Sequence, residues 1–319
     1  MIVVCGEALI DLFVDRSPAE GLRTHAVAGG SPFNLAVGLA RLGRSTAYLG
    51  SLSEDALGAY LAERLAGEGV DLSAVRRVPN RTTLSVVATT ADGHPQYAFY
   101  DEGGGDRALG PEHLPVALPE EATGIAAGSY TLAVEPIAGA IDALLRREAG
   151  RRAVSLDPNV RPRVIGNVAA FRSRFERQMA LATIVKASAE DLDLLYGEGT
   201  DGATIAADWL RRGPALVVIT RGIEGSIAWT RDGAVAEPAR PVPIVDTVGA
   251  GDTFQAGFLA QLDADRLLDP AAPARLDRAA IARALQTATA SSALTCSRRG
   301  ADGPTRREVE ALLGRPLER

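Results

Sequence analysis

Residues 246–254, DTVGAGDTF, place three small residues between acidic ones, just before a segment with the apolar period of a helix. An apolar strand is expected to end at about Val245, so residues 249–252 should form the first turn of that helix. The N–H groups of a first turn have no partner inside the helix and lie at the positive end of its dipole. Gly249, Ala250 and Gly251 leave these groups open, so the turn is predicted to bind an anion such as phosphate.

The carboxylate of Asp252 would lie beside that anion. Repulsion makes it a poor ligand there, but it is well placed to accept a proton from an attacking hydroxyl. Two other interpretations stay open: Asp252 could cap a glycine-rich helix, or the turn could bind a dinucleotide in an oxidoreductase. The dinucleotide fingerprint needs a third glycine, where this chain has Phe254, and normally opens the first βαβ unit.

A second polar cluster lies in AGGSPFNLAVGLARLG, residues 28–43. It offers the turn Gly29-Gly30, followed by Asn34 at the start of an amphipathic helix. Capping that helix is the alternative role of Asn34. Together with Asp11, on the short strand after GEALI, Asn34 would supply hydrogen-bond acceptors and donors to a polyol.

Lys186 is the only lysine of the chain, and it stands at a predicted strand end rather than in a glycine-rich loop. This excludes the Walker P-loop and the protein-kinase arrangement, which each need a lysine on the phosphates. The histidines His25, His94 and His113 lack the spacing of metal ligands. No G-x-S-x-G motif of a serine hydrolase occurs.

Composition limits the possible partners. The chain has 319 residues, of which 46% are hydrophobic, so it can bury one large core. A net charge of −6 and an isoelectric point near 5.3 favour a small-molecule partner over nucleic acid or an anionic membrane. Cys5 and Cys296 are too few for a disulfide framework, and no stretch approaches the ~20 apolar residues of a membrane span. A soluble, cytoplasmic protein is expected.

The elements that must carry these residues alternate along the chain. Short apolar runs predict buried strands, and helical periods predict helices. The strands are expected at 2–5, 46–50, 153–157, 183–188 and 216–220, and the helices at 33–43, 55–69, 135–150 and 201–213. The alternation indicates an α/β fold, a three-layer αβα sandwich with a mostly parallel central sheet, in a single domain over residues 1–319.

Two regions interrupt the alternation, at about 11–28 and 82–102. In the second, runs rich in β-branched and aromatic residues flank Asp92, Gly93 and His94, which indicates a hairpin. With a strand at 11–15, the hairpin is predicted to form a small separate sheet that lies as a lid over the open edge of the main sheet.

The two motifs resemble those of the ribokinase-like, or PfkB, carbohydrate kinases. GG-x-x-x-N-x-A-x-x-x-A-x-L-G and D-T-x-G-A-G-D-x-F are the two signatures of that family and occur here at its spacing. The similarity covers essentially the whole chain, down to RRGADGPT at 298–305. Several segments are closest to bacterial fructokinases: GEALIDLFVD, AFYDEGGGDRAL (98–109), GSYTLAVEP (128–136) and SLDPNVRP (155–162).

The resemblance implies roles for the matched residues. Asp252 would be the base on the hydroxyl to be phosphorylated, and Gly249, Ala250 and Gly251 would form the anion hole. The sugar pocket would include Asp11, Gly29, Gly30, Asn34, Arg107 and Arg161. The contacts to ATP would come from Lys186, Ser188, Thr220, Gly222, Gly225 and Gly251.

Metal binding is where the sequence departs from the family pattern. The family's N-x-x-E is replaced by S-A-E-D, with Ser188 and Asp191 at the matching positions and Glu190 beside them. Mg²⁺ is still expected, because it offsets the charge of ATP, and Asp191 or Glu190 would bind it through water. The resemblance also implies a K⁺ site, formed by Asp246, the Val248 carbonyl and the loop around Gly300.

The function expected is that of an ATP-dependent sugar kinase, with fructose as the preferred acceptor. The alternative acceptors are 2-keto-3-deoxygluconate, ribose and a nucleoside, the last disfavoured because the pocket has few aromatic residues to stack a purine. Outside the family, an oxidoreductase and a catalytically silent sugar-binding regulator remain, although the retained Asp252 argues against the regulator. A homodimer through the lid is expected from its apolar residues Val86, Val87, Tyr97 and Phe99, predicted to be exposed.

Overall fold

The computed structural model describes residues 1–17, 21–89, 95–270 and 276–317, with their side chains except those of 15–17, 88–89 and 95–97. Its strands are β1 (Ile2–Cys5), β2 (Leu9–Ser17), β3 (Gly21–Gly29), β4 (Thr46–Ser53), β5 (Val75–Val78), β6 (Leu84–Thr89), β7 (Pro95–Tyr100), β8 (Gly124–Gly128), β9 (Ala153–Asp157), β10 (Ile184–Ser188), β11 (Leu216–Thr220), β12 (Ser226–Thr230) and β13 (Gly233–Glu237). Its helices are α1 (Ser31–Arg41), α2 (Ala56–Gly67), α3 (Ile137–Glu148), α4 (Pro162–Ile165), α5 (Val168–Met179), α6 (Ala189–Tyr196), α7 (Gly202–Arg212), α8 (Ala250–Ala264), α9 (Arg278–Cys296) and α10 (Arg306–Leu313). Of the helices described, none has the length and apolar character needed to cross a membrane.

The larger sheet has nine strands in the order β13-β12-β11-β10-β9-β8-β1-β4-β5. Every neighbouring pair from β11 to β5 is parallel, whereas β12 and β13 add an antiparallel edge. Parallel strands end at the same edge of a sheet, so the segments after β1, β8, β9, β10 and β11 come together there.

Both faces of this sheet are covered. In β1, Ile2 and Val4 belong to the core that includes residues of α1, α8 and α9, whereas Val3 and Cys5 belong to the core on the side of α3, α5 and α7. Strands buried on both faces favour apolar side chains at most positions, which explains the nearly continuous apolar runs in the sequence. The predicted three-layer αβα fold is confirmed.

The predicted strands and helices are present, with ends displaced by at most three residues. One strand prediction is wrong, because the segment before Val245 is a loop. Pro241 and Pro243 lack the N–H groups that a sheet ladder requires, so the chain leaves the sheet after β13. The Val245 N–H donates instead to the Cys296 carbonyl at 2.8 Å.

The smaller sheet has the order β3-β2-β6-β7, with β2 and β6 parallel and the other pairs antiparallel. This is the predicted lid, although its first strand begins at Leu9 and its second ends at Gly29. The turn predicted at 92–94 lies outside the described residues.

The solvent exposure predicted for the apolar side chains of the lid is partly wrong. Val87 is buried, and together with Phe99 it lines the cavity beneath the lid, because alternate residues of a strand point to opposite faces. Val86 is half-buried on the other face, and the side chain of Tyr97 is outside the described part.

Candidate active site

A cavity of about 1010 Å³ lies between the lid and the C-terminal ends of the parallel strands. Its wall contains most residues predicted for the site: Asp11, Gly30, Asn34, Arg161, Lys186, Ser188, Glu190, Asp191, Thr220, Gly222, Val248, Gly249, Gly251 and Asp252. The others lie outside the wall, namely Gly29, Arg107, Gly225, Asp246, Ala250 and Gly300. Two motifs that are far apart in the sequence therefore meet at one cavity.

Helix α8 presents its N-terminus to this cavity. Gly249 is the N-cap in the left-handed conformation, with φ 74°, and a Cβ there would lie 2.5 Å from the Ala301 Cβ. The Thr253 N–H donates to the Gly249 carbonyl at 2.9 Å. The N–H groups of Gly251 and Asp252 have no acceptor among the described residues, so they remain for an anion.

Asp252 lies in the first turn of α8, and both of its carboxylate oxygens bond to α1. Ser31 Oγ donates to Oδ1 at 2.6 Å, and Asn34 Nδ2 donates to Oδ2 at 2.8 Å. The N-caps of the two helices are Gly249 and Gly30. The capping interpretation is therefore wrong for both Asp252 and Asn34.

Asp11 faces the cavity from β2, beside Ser85 of β6. Burial raises the pKa of Asp11, while the hydrogen bond from Ser85 opposes this shift and the charge of Asp252 adds to it. A Cβ on Gly29 would lie 2.2 Å from Asp11 Oδ2. Glycine at position 29 therefore makes room for the Asp11 carboxylate.

Lys186 is the middle residue of β10 and is only 4% exposed, and its Nζ donates to Asp157 Oδ2 at 2.7 Å. Burial would lower the pKa of Lys186, but the neighbouring carboxylates, Asp157 foremost, raise it above its ordinary value. Burial raises the pKa of Asp157 to about 6 against the opposing charge of Lys186. A Cβ on Gly251 would lie 3.2 Å from Nζ, so the ammonium lies beside the first turn of α8.

Comparison with known proteins identifies the family of this chain. Residues 1–308 match the pfkB family carbohydrate kinase domain. The chain belongs to the pfkB family of carbohydrate kinases. A fructokinase of Rhizobium leguminosarum bv. trifolii is 42% identical over 282 residues, which cover 88% of this chain and 85% of that protein.

Two solved structures extend the similarity to this pfkB kinase. Fructokinase from Xylella fastidiosa with bound ATP has a TM-score of 0.90 at 30% identity, with 98% of each chain covered. A fructokinase double mutant from Vibrio cholerae O395, with fructose, ADP and potassium bound, has a TM-score of 0.84 at 26% identity, covering 98% of this chain and 97% of that one. The membership favours a carbohydrate kinase over an oxidoreductase.

In this pfkB kinase, the S-A-E-D segment forms the start of α6. Ser188 and Asp191 bond each other reciprocally as a capping box. Asp191 Oδ1 accepts the Val160 N–H at 2.7 Å, and Oδ2 accepts the Ser188 N–H at 2.8 Å. Glu190 is exposed on the cavity wall, and no described residue hydrogen-bonds its side chain. Of the two acids predicted for Mg²⁺, only Glu190 has both carboxylate oxygens free of hydrogen bonds from the described residues.

The residues predicted for a monovalent cation join the C-terminal loop to the approach of α8. Asp246 Oδ1 accepts the Val248 N–H at 3.1 Å, and Oδ2 accepts the Gly300 N–H at 2.8 Å. Within the described ranges, no group of three His, Cys, Asp or Glu side chains forms a metal cluster. A cation here would therefore need backbone carbonyls as further ligands.

Arg107 and Gly225, which lie outside the wall, have structural contacts instead. Arg107 pairs with Asp101, and its guanidinium lies 5.8 Å from the centre of the Tyr130 ring, which lines the cavity. A Cβ on Gly225 would lie 2.1 Å from the Glu237 carbonyl oxygen, so glycine is required where β12 begins to pair with β13.

Several residues of the wall were not predicted from the sequence. They include Glu7, Ser31, Tyr130 and two residues with positive φ, Ser129 and Asn159, at 61° and 36°. Such strained conformations are frequent at functional sites; asparagine adopts positive φ more readily than most residue types, but the type of Ser129 carries no such signal. Ser31 could have been predicted as a site residue, because it stands between the Gly-Gly turn and Asn34 in the sequence.

Proposed function

We propose that this pfkB kinase is an ATP-dependent fructokinase. The observation that carries the proposal is the contact of Asp252 with Ser31 and Asn34, beside the open N–H groups of α8, in one cavity. A proton acceptor next to an anion site is what phosphoryl transfer to a hydroxyl requires. The relative with 42% identity, a fructokinase, supports fructose as the acceptor.

In the proposed reaction, Asp252 accepts the proton of the sugar hydroxyl while the hydroxyl oxygen attacks the γ-phosphorus of ATP in line. The bond from that phosphorus to the bridging oxygen breaks, and ADP leaves with the electron pair. The N–H groups of Gly251 and Asp252, together with the Lys186 ammonium, stabilise the charge on the transferring group. The nucleotide would extend along the wall toward Thr220 and Gly222.

The proposed reaction also uses two cations, Mg²⁺ and K⁺. Mg²⁺ keeps several waters and takes few carboxylates, so the open Glu190 side chain fits it through water. When bound, Mg²⁺ offsets the charge of the ATP phosphates. Asp246 with backbone carbonyls of the Val248 and Gly300 segments would hold K⁺, and the potassium-bound fructokinase of Vibrio cholerae supports that assignment.

The sugar end of the cavity supports a neutral polyol. It is lined by Asp11, Ser85, Asn34 and Asp252, which offer mainly acceptors to sugar hydroxyls. One observation favours a second candidate, 2-keto-3-deoxygluconate. Arg161 is an exposed cation on the same wall and could pair with the carboxylate of a sugar acid.

We also propose a cytoplasmic homodimer that uses the outer face of the lid. Leu22 and Tyr100 are each 66% exposed there, although large apolar side chains are normally buried. Cys5 and Cys296 are both free thiols, which fits a reducing compartment.

A coupled assay of ADP release tests the proposed function. Fructose, 2-keto-3-deoxygluconate, ribose and a nucleoside are compared at saturating MgATP, with Asp252→Asn as the negative control. The highest kcat/KM is expected with fructose. A higher value with another acceptor would overturn the fructose assignment, and ADP release from none of them would overturn the sugar-kinase proposal.

A further inference from the structure

Glu7 is a buried acid on the cavity wall that the proposed reaction does not use. It follows β1, is 1% exposed, and lies between the start of α1 and the turn at Ser129–Leu132. An isolated ionised carboxylate is very costly at such a position, so the group must be paired with a cation, stabilised by hydrogen bonds, or protonated. The contacts of Glu7 decide between these states.

Three oxygens determine where the proton lies. Thr131 Oγ1 is 2.7 Å from the Gly128 carbonyl oxygen and 3.3 Å from Glu7 Oε2. A hydroxyl has one hydrogen, and a carbonyl oxygen can only accept. The Thr131 hydrogen therefore goes to Gly128, so the contact with Glu7 needs a hydrogen on Oε2. Glu7 Oε1 accepts the Ser31 N–H at 3.2 Å, as a neutral carboxyl can.

The charged and titratable groups around Glu7 agree with a neutral side chain. Burial raises the pKa of Glu7 to about 8, and Asp106 of the turn at Gly105–Arg107 adds to this, while hydrogen bonds from the backbone and Ser129 oppose it. Tyr48 of β4 and Tyr130 also face Glu7, and their charged forms would repel it. Arg107 lowers the pKa of Asp106 and is paired with Asp101.

Ser31 connects Glu7 to the base. The Ser31 N–H bonds Glu7, and its Oγ donates to Asp252 Oδ1 at 2.6 Å. The fit at the preceding residue is tight, since a Cβ on Gly30 would lie 2.8 Å from the Glu7 carbonyl oxygen. The start of α1 is therefore held against Glu7, and the hydroxyl that orients Asp252 is held with it.

We propose that Glu7 is a positioning residue that works as a neutral carboxylic acid, fixing Ser31 and thereby the orientation of the Asp252 carboxylate. The link to catalysis rests on the proposed function, because it takes Asp252 as the base. The protonation of Glu7 does not rest on it.

Glu7→Gln and Glu7→Ala separate this role from that of an ionised carboxylate. The glutamine amide can donate to Thr131 and its oxygen can accept from Ser31, whereas alanine can do neither. Glu7→Ala should lower kcat by ~10–100-fold, because it frees the group that orients the base. Glu7→Gln should recover kcat to within about threefold of wild type at pH 7. A larger loss in Glu7→Gln than in Glu7→Ala would overturn the proposal.

The pH profile gives a readout that a purely structural role would not move. The kcat of the wild type should fall as the pH rises through about 8, where Glu7 ionises, and the fall should be absent in Glu7→Gln. A double-mutant cycle tests whether Glu7 acts through Ser31. In a Ser31→Ala background, Glu7→Ala should cause only a small further loss of kcat. An alkaline fall that persists in Glu7→Gln, or full additivity with Ser31→Ala, would contradict the proposal.

Infrared spectra of the protein without ligands test the protonation apart from kinase activity. The pH 7 minus pH 9 difference spectrum should contain a protonated-carboxyl C=O band that is absent from Glu7→Gln. Identical bands in both proteins would overturn the neutral carboxyl. If the wild type phosphorylates no sugar, but its spectrum contains this band and that of Glu7→Gln does not, the proposed function is refuted and the neutral state of Glu7 still holds.

Discussion

Asn34 Nδ2 donates to Asp252 Oδ2 at 2.8 Å, a contact between side chains 218 residues apart in the chain. It joins the N-terminal turns of α1 and α8, and Ser31 occupies the other oxygen of the same carboxylate. In the proposed reaction, the helix that binds the sugar and the helix that binds the phosphates therefore share one side chain. Sugar binding and proton transfer should consequently depend on the same hydrogen bonds.

Asp252→Asn should lower kcat by about 10²–10⁴-fold and change the sugar KM little, because it removes the proton acceptor. The amide oxygen can still accept from Asn34, and the Ser31 hydroxyl can rotate to accept from the amide nitrogen. Steady-state kinetics measure the loss, and thermal unfolding checks that the fold survives. Retention of more than about a tenth of the wild-type kcat would show that another group takes the proton.

Asn34→Ala should raise the sugar KM and also lower kcat, because Asn34 holds the base as well as facing the sugar end of the cavity. In the Asp252→Asn background, the same substitution should lower kcat much less, since the effects of substitutions at contacting residues are not additive. Asn80→Ala is the matched control, because that amide donates to the Gly103 carbonyl on the surface. Equal effects of Asn34→Ala in both backgrounds would contradict the coupling.

The two long motifs led from the sequence to this site because the chemistry dictates their residue types. An anion bound at the start of a helix requires small residues there, and the general base must be the carboxylate of an acidic residue in the same turn. The lid could be predicted from alternation, but the burial of Val87 depends on its register beside Phe13, which no local pattern reveals.

Other features could not be predicted for physical reasons. The sequence of β8, GIAAG, has little strand propensity, and it is a strand because it is buried between β1 and β9. The Ser31 N–H donates to the carboxyl group of Glu7, and because every residue except proline has a backbone N–H, the residue type at position 31 does not predict this contact. The Lys186–Asp157 pair likewise forms only because β9 and β10 are neighbouring parallel strands, which brings the two side chains together.

Lys186→Met should cost about 3–5 kcal/mol of unfolding free energy, because it leaves the buried Asp157 carboxylate without its partner. Adding Asp157→Asn should recover most of that stability, since an amide needs no counter-ion. The kcat should stay low in the double variant, because the cation beside the first turn of α8 is still missing. Urea unfolding and kinetics measure the two effects, and recovery of kcat along with stability would exclude Lys186 from the phosphate site.

Tyr100→Glu should convert the proposed dimer to a monomer, because it places a charge on the apolar outer face of the lid. Light scattering coupled to size-exclusion chromatography measures the mass at micromolar concentrations. Val116→Glu is the control, since Val116 is 98% exposed but lies outside the lid. A monomeric wild type at those concentrations would contradict the proposed dimer.

Glu7→Gln should stabilise the protein increasingly as the pH rises. Burial raises the pKa of Glu7 from 4.5 to about 8, so between these pH values the folded chain binds more protons than the unfolded chain. The contribution of Glu7 to the unfolding free energy therefore falls as the pH rises through this window, by about 1.4 kcal/mol for each pH unit at most. Glutamine does not titrate, so the advantage of the variant should grow from about pH 5, reach several kcal/mol and level off above about pH 8.

Glu148→Gln is the matched control for that measurement. Glu148 is as deeply buried, at 2% exposed, but it is paired with Arg147 and Arg152. Removing its charge leaves two guanidinium groups without their partner, so this variant should lose stability at pH 7 and pH 8 alike. Urea unfolding across the pH range distinguishes the two acids. If the difference between Glu7→Gln and wild type were constant from pH 5 to pH 9, Glu7 would not be titrating, and its carboxyl would not be the protonated group that the contact with Thr131 requires.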